Sequence, residues 1–283
     1  MKIAVASGKG GTGKTSLSVA LALSADGPVK LLDCDVEEPN CHIFIEIGEE
    51  QKTDVFVPVP EIDNSKCDNC GRCAEFCQFN AIASLGTRTL VFPELCHSCG
   101  GCMKVCPKGA ISEKDRLIGT IRSGRRGNLF FASGMLEIGH PMSPPLIKEV
   151  LKLAGSGELV IVDSPPGTSC PMVAAVSGAD FVVLVTEPTP FGLHDLKIAV
   201  ETVRGIRKPH CVVVNRCDSG DDRVERYCAE QGIEIVLKIP DDRKVAVAYS
   251  EGKTLLDAMP HMRGDMRKIL CAISGKIKTD VRT

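Results

Sequence analysis

One octapeptide near the amino terminus restricts the folds open to this chain more than any other feature. Gly8-Lys9-Gly10-Gly11-Thr12-Gly13-Lys14-Thr15 satisfies G-x-x-x-x-G-K-[ST] at every position. It follows an apolar run at residues 2–6 and opens a stretch, residues 15–25, with Leu17, Ala20 and Leu21 at helical spacing. A strand, a glycine loop and a helix in that order turn backbone N–H groups inward on phosphate oxygens, and the helix adds its positive N-terminal end. Lys14 is expected to reach the β- and γ-phosphates, and Thr15 to bring its hydroxyl to Mg²⁺. The competing reading is a glycine-rich turn that binds nothing. The strand–loop–helix setting argues against it.

The remaining apolar runs fit the same architecture. Residues 29–32 lead into Asp33-Cys34-Asp35, and residues 159–162 end at Asp163. Residues 181–185, 210–214 and 234–237 are further Val/Ile/Leu runs, with helical stretches between them. Continuous apolar runs are what parallel strands buried on both faces look like. The alternation predicts an α/β fold, a doubly wound and mostly parallel sheet. A chain of 283 residues holds one such domain and something small besides.

The small addition is marked by cysteine. The chain has 15 cysteines, no secretory apolar segment at its start, and no apolar run near the ~18 residues of a membrane span. A cytoplasmic, reducing location is expected, and there clustered cysteines bind metal more often than they pair. Cys67, Cys70, Cys73 and Cys77 repeat, 29 residues on, as Cys96, Cys99, Cys102 and Cys106. C-x2-C-x2-C-x3-C occurring twice is the bacterial two-cluster ferredoxin run, in which the fourth thiolate of each run crosses to the other cluster. This assigns Cys67, Cys70, Cys73 and Cys106 to one [4Fe-4S] cluster, and Cys96, Cys99, Cys102 and Cys77 to the other. Zinc is the alternative, since four thiolates suffice for each ion. Pro107 follows the second run, whereas Gln78 stands at the matching place in the first. The composition shift places an inserted ferredoxin-like α+β domain at residues 61–115, splitting the larger domain into 1–60 and 116–283. Most of the other cysteines read as small buried hydrophobes. Cys170, three residues after Gly167, reads as a core residue at a helix start, with a nucleotide-responsive place at a dimer axis as the alternative.

Lys9 ahead of Gly10-Gly11 gives K-G-G-T-G-K-T, which resembles the deviant Walker A loop of the MinD/ParA/nitrogenase-iron-protein class of P-loop ATPases. The resemblance implies an ATP-dependent homodimer in which Lys9 reaches the partner's nucleotide, a second cation neutralising charge on the transferred phosphoryl group. It implies that Gly8, Gly10, Gly11, Thr12, Gly13, Lys14, Thr15 and Ser16 contact ATP. It makes Asp35 the switch I aspartate that orients water. In Asp163-Ser-Pro-Pro-Gly167 it has Asp163 hold Mg²⁺ through water and the Gly167 amide sense the γ-phosphate. Asn215 and Arg216 would meet the adenine, and Pro240 and Asp241 would close over it. Lys9, Lys14 and Asp35 are the catalytic candidates. The whole pattern resembles MinD-superfamily ATPases with an inserted ferredoxin domain, along essentially the full chain.

Three functions follow from that resemblance. The first is a slow ATPase whose nucleotide state gates electron transfer from the clusters to a redox partner. The second is an accessory or carrier protein for iron–sulfur or iron–molybdenum-type cofactor assembly. The third is a MinD/ParA-type positioning ATPase with a ferredoxin sensor. A net charge of −2 and the absence of Trp argue against a nucleic-acid partner. Met266, Ile269, Leu270, Ile273 and Ile277 share one helical face. That face is expected to pack on the sheet, so membrane association is not expected.

Overall fold

The computed structural model describes residues 1–280. Strand β1 (Lys2–Ala6) leads through the glycine loop into helix α1 (Lys14–Leu23), and β2 (Val29–Asp33) follows. The chain then makes a short 3₁₀ turn at Cys41–Ile43 and enters β3 (Gln51–Ile62). A cysteine-bearing unit comes next: α2 (Arg72–Phe76), the hairpin β4 (Ile82–Ser84) and β5 (Thr89–Val91), and α3 (Gly101–Val105). β6 (Ile111–Arg126) and β7 (Leu129–Leu136) return the chain to the main body. From there strands and helices alternate: α4 (Pro144–Lys152), β8 (Leu159–Asp163), α5 (Cys170–Val176), β9 (Phe181–Thr186), α6 (Pro190–Gly205), β10 (His210–Asn215), α7 (Arg223–Glu230) and β11 (Ile235–Ile239). Helices α8 (Arg243–Ser250), α9 (Leu255–Ala258) and α10 (Met262–Asp280) end the described chain.

The nine-stranded sheet has the order β11-β10-β9-β1-β8-β2-β7-β6-β3. Its strands from β11 to β7 pair in parallel, and β6 and β3 add an antiparallel edge. Successive side chains of each parallel strand enter opposite cores, which is why the runs are apolar throughout. Ala4, Val162, Leu184 and Val214 pack beneath α4, α5, α6 and α7. Ile3, Val5, Ile161, Val183 and Val213 pack beneath α1, α9 and α10. Met262, Met266, Ile269, Leu270 and Ile273 of α10 are buried there, so the last helix lies on the sheet as expected. Among the described residues no helix is long and apolar enough to cross a membrane.

The antiparallel edge places the cysteine-bearing unit. β3 and β6 pair from Gln51↔Ser123 to Ile62↔Ile111, with a register shift at Val55/Phe56. β7 accompanies β6 only as far as Gly119↔Leu136. Residues 56–62 and 111–118 therefore continue as a two-stranded ribbon, about 25 Å long at ~3.3 Å per residue. From Arg126 back to Ile111, β6 runs in the direction of β7. The ribbon thus projects from the C-terminal edge of the parallel strands. The expected boundaries, 61 and 115, fall inside β3 and β6, so strands of the main sheet carry directly into the unit. Pro58 and Pro60 obscure β3 in the sequence; they are tolerated because β3 is an edge strand.

Candidate functional site

The C-terminal edge of the sheet collects the nucleotide candidates, where open α/β sheets bind ligands. The loop after β1 holds Lys14, buried beneath it. Lys14 Nζ lies 3.6 Å from Asp35 Oδ2 and 3.6 Å from Asp163 Oδ1. Burial works against its charge, but the Asp163 and Asp35 carboxylates outweigh that and hold its pKa above the ordinary lysine value. Thr15 Oγ1 donates to Asp163 Oδ2 at 2.8 Å, and Ser18 Oγ donates to Asp163 Oδ1 at 2.8 Å. Thr15 and Asp163, the two Mg²⁺ candidates, are therefore already in contact. Thr12 Oγ1 is buried and lacks a hydrogen-bond partner. A buried orphan hydroxyl in a glycine loop beside a buried lysine fits a phosphate.

The segment after β2 is held from below. Asp33, fully buried, accepts hydrogen bonds from the backbone N–H groups of Asp35 (3.2 Å), Asn40 (3.1 Å) and Cys41 (3.0 Å). Burial, reinforced by the Asp163 carboxylate, pushes the Asp33 carboxyl up to about 8. Burial also pushes Asp35 up to about 6, with the Lys14 ammonium opposing. Cys41 Sγ lies 3.5 Å from Asp163 Oδ2. The sequence reading treated Cys41 as core filling; its place beside Asp163 is visible only once the 3₁₀ turn at Cys41–Ile43 brings this segment back toward the end of β8.

Three expected contacts have other partners here. Lys9 Nζ pairs at 3.0 Å with Glu187 Oε2 of its own chain. The Gly167 N–H donates to the Ser7 carbonyl at 3.0 Å. Asn215 Nδ2 donates to the Thr12 carbonyl at 2.9 Å, so this side chain braces the phosphate loop. Arg216 Nη1 reaches Glu187 Oε1 at 2.8 Å, and Arg216 Nε lies 3.7 Å from Asp241 Oδ1, joining two of the four base-side candidates. Glu187, just after β9, is a polar residue to which the sequence reading assigned no role. Gly8 is required by packing, because a Cβ there would collide with the Asp195 carbonyl of α6. Cys170 is a correction: it is exposed at the start of α5, because only the later residues of that short helix turn toward the core.

In the cysteine-bearing unit the two runs take one backbone conformation twice. Left-handed residues recur at the 29-residue offset: Asn69 and Ser98, Gly71 and Gly100, Asn80 and Gly109. The N–H groups of Ala81 and Ala110 donate to Cys77 Sγ and Cys106 Sγ, each at 3.3 Å. Cys67, Cys70, Cys73 and Cys106 line one cavity, and Cys77, Cys96, Cys99 and Cys102 line the other. Four thiols line each cavity, with N–H donors on sulfur, and Gly71 and Gly100 remove side-chain bulk at the turn. This donor set suits [4Fe-4S] clusters.

Comparison with known proteins agrees with the larger domain. The family model described as CobQ/CobB/MinD/ParA nucleotide binding domain matches residues 3–255. An uncharacterized protein of Methanocaldococcus jannaschii is 32% identical over 90% of this chain and 91% of its own length. The iron-sulfur cluster carrier protein of Pyrococcus abyssi is 24% identical over 89% of this chain and 77% of its own. Among solved structures, the septum site-determining protein MinD of Pyrococcus horikoshii, complexed with Mg-ADP, superposes with a TM-score of 0.58 at 17% identity. That alignment covers 98% of both chains and is a likeness of fold.

Proposed function

The chain belongs to the CobQ/CobB/MinD/ParA nucleotide-binding domain family, and from that premise we propose a slow, switch-like ATPase whose nucleotide state governs two [4Fe-4S] clusters that pass electrons to a protein partner. Lys14, Thr12 and the loop amides bind the triphosphate, and Thr15 and Asp163 hold Mg²⁺. Asp35 orients the attacking water. Lys9 leaves Glu187 and crosses to the nucleotide of a second copy, forming an ATP-dependent homodimer. The eight thiols hold the clusters, which supply one-electron chemistry when bound. Residues 61–115 act as a ferredoxin-like insert.

One observation carries this reading above the others: the crossed thiol sets stand on a ribbon rising from the same sheet edge as the phosphate loop. A unit that served only for stability has no need of that placement. The test is anaerobic spectroelectrochemistry of the reconstituted chain without nucleotide, with MgADP and with MgATP. The cluster potentials should move between the ADP and ATP states. Identical potentials in all three states overturn electron gating.

A cluster-carrier role is the second reading. One thiol of each set, Cys70 and Cys99, is exposed, which opens a path for ligand exchange. The carrier protein of Pyrococcus abyssi is a relative over most of the chain. Rapid, ATP-dependent transfer of iron and sulfide to an apo-ferredoxin would favour carriage over electron delivery.

A further inference from the structure

The internal repeat allows the two thiol sites to be compared position by position. Residue n at one site has its structural counterpart at n + 29, and the surroundings differ at every place that bears on charge. Lys108 lines the first cavity, where its Nζ lies 3.8 Å from Asp68 Oδ2. Their counterparts across the repeat are Phe79 and His97, which line the second cavity and stack at 3.6 Å between ring centroids, 14° from parallel. An ion pair covers one site and an aromatic stack covers the other, at the same two positions. Arg72 lines the first cavity where the second has Gly101. Ser84 faces Gly71 at the first site, and Glu113 faces Gly100 at the second. Glu75 also lines the second cavity, as do Pro58, Pro60 and Phe76.

These differences act in one direction. One-electron reduction adds a negative charge at a site, and neighbouring charge and solvent exposure set how readily it is accepted. Arg72 and Lys108, with only Asp68 against them, favour the extra charge at the first site. Glu75 and Glu113 oppose it at the second, where Pro58, Pro60, Phe76 and Phe79 line the same cavity and offer no compensating positive charge. One contact works the other way: the Ser98 N–H donates to Cys96 Sγ at 3.3 Å. The corresponding Cys67 Sγ has side-chain neighbours, Asn69 Oδ1 at 3.7 Å and Thr89 Oγ1 at 3.8 Å. A single peptide dipole is outweighed by two cations on one side and two carboxylates on the other. The Ala81 and Ala110 hydrogen bonds match and cancel.

We propose that the two sites are unequal by construction: Arg72 and the Asp68–Lys108 pair make the first the electron acceptor, and Glu113 with the Phe79–His97 stack makes the second the donor. This rests on the reading that the thiols hold [4Fe-4S] clusters. Were clusters held at both sites, an external one-electron donor would fill the first before the second, because Arg72 and Lys108 favour the added charge there and Glu75 and Glu113 oppose it at the other.

The test is an EPR-monitored redox titration of the anaerobically reconstituted full chain, with iron and sulfide determined on the same sample. Two reduction steps are expected. Arg72→Gln should lower only the upper step, and Glu113→Gln should raise only the lower one. The exchange Phe79→Lys with His97→Asp, which gives the second site the first site's cover, should draw the lower step up toward the other. Arg72→Gln and Glu113→Gln alter exposed side chains and keep the test available if the exchange variant does not fold. Two cubanes titrating as one step, or a lower step that moves with Arg72→Gln, overturn this proposal and leave the cluster reading standing. Zinc in place of iron and sulfide overturns both.

Discussion

Glu187 shows how one buried carboxylate can serve two cations. Its side chain is 9% exposed, with Lys9 on Oε2 and Arg216 on Oε1. If Lys9 departs for a second copy, Arg216 stays, so the carboxylate is never left buried and unpaired, which is the expensive state. The pair with Lys9 then competes with dimer formation and no more. Glu187→Gln should lower the ATP concentration needed for half-maximal dimerisation about two- to fivefold, since a partly exposed pair is worth about 0.5–1 kcal/mol. Light scattering or sedimentation against ATP concentration measures it; an unchanged or higher requirement refutes the competition. Lys9→Ala should abolish the dimer while MgATP still binds. Asp35 gives a second test. Its carboxyl titrates near 6 in the nucleotide-free state, raised by burial. If the carboxylate form orients water, kcat/KM for ATP hydrolysis, which reports the free enzyme, should rise with pH through about 6 and level off above it. A profile flat from pH 5 to 8 would remove Asp35 from that role. Stability should move the opposite way. The folded carboxyl holds its proton above the unfolded value, so the nucleotide-free protein should lose stability as pH rises from about 4 to 6.

At the scale of elements, some of this was legible beforehand and some was not. The phosphate loop was, because its glycines and lysine follow one another in the chain and the apolar runs on either side fix strand and helix. The parallel strands were too, because burial on both faces leaves continuous Val/Ile/Leu runs such as those of β8, β9 and β10. The ribbon was not. β3 carries Lys52, Asp54, Pro58 and Pro60 and β6 is polar over much of its length, because an edge ribbon faces water and needs no apolar run. Glu187 was also hidden, since only pairing across the sheet brings it to Lys9. The amphipathic stripe of α10 was visible, but a helix on a membrane surface shows the same stripe. Burial of Ile273 against the sheet decides the case. Ile273→Ala should cost about 2–4 kcal/mol by cavity formation, read as a lower denaturant midpoint without a change in vesicle binding. A loss of vesicle binding with the midpoint unmoved would assign the stripe to lipid.

In the whole molecule, the nucleotide edge and the thiol unit are joined by a short chain of backbone contacts. Next to Asp35, the Val36 carbonyl accepts the Leu136 N–H at 2.8 Å, and the Glu137 N–H donates to the Ile118 carbonyl at 2.9 Å. Ser143 Oγ donates to Glu37 Oε1 at 2.9 Å. A Cβ on Gly134 would press on Val36 and Val150, so β7, the segment after β2 and α4 meet without slack. Ile118 lies where β6 leaves β7 and the ribbon begins. A displacement of Asp35 toward a γ-phosphate therefore pulls on Leu136, and through Glu137 on the base of the ribbon. Packed contacts of this kind shift as units and do not deform gradually. Amide hydrogen exchange should detect it. Residues 56–62 and 111–118 should exchange at different rates in MgATP and MgADP, while α7, at the opposite end of the sheet beside β10 and β11, should not. Ser143→Ala should reduce the difference at the ribbon and leave the protection of the phosphate loop by nucleotide intact. Equal ribbon exchange in both nucleotide states would mean that the thiol unit does not sense the phosphate site through this route, and that any coupling must pass through the second copy of the chain.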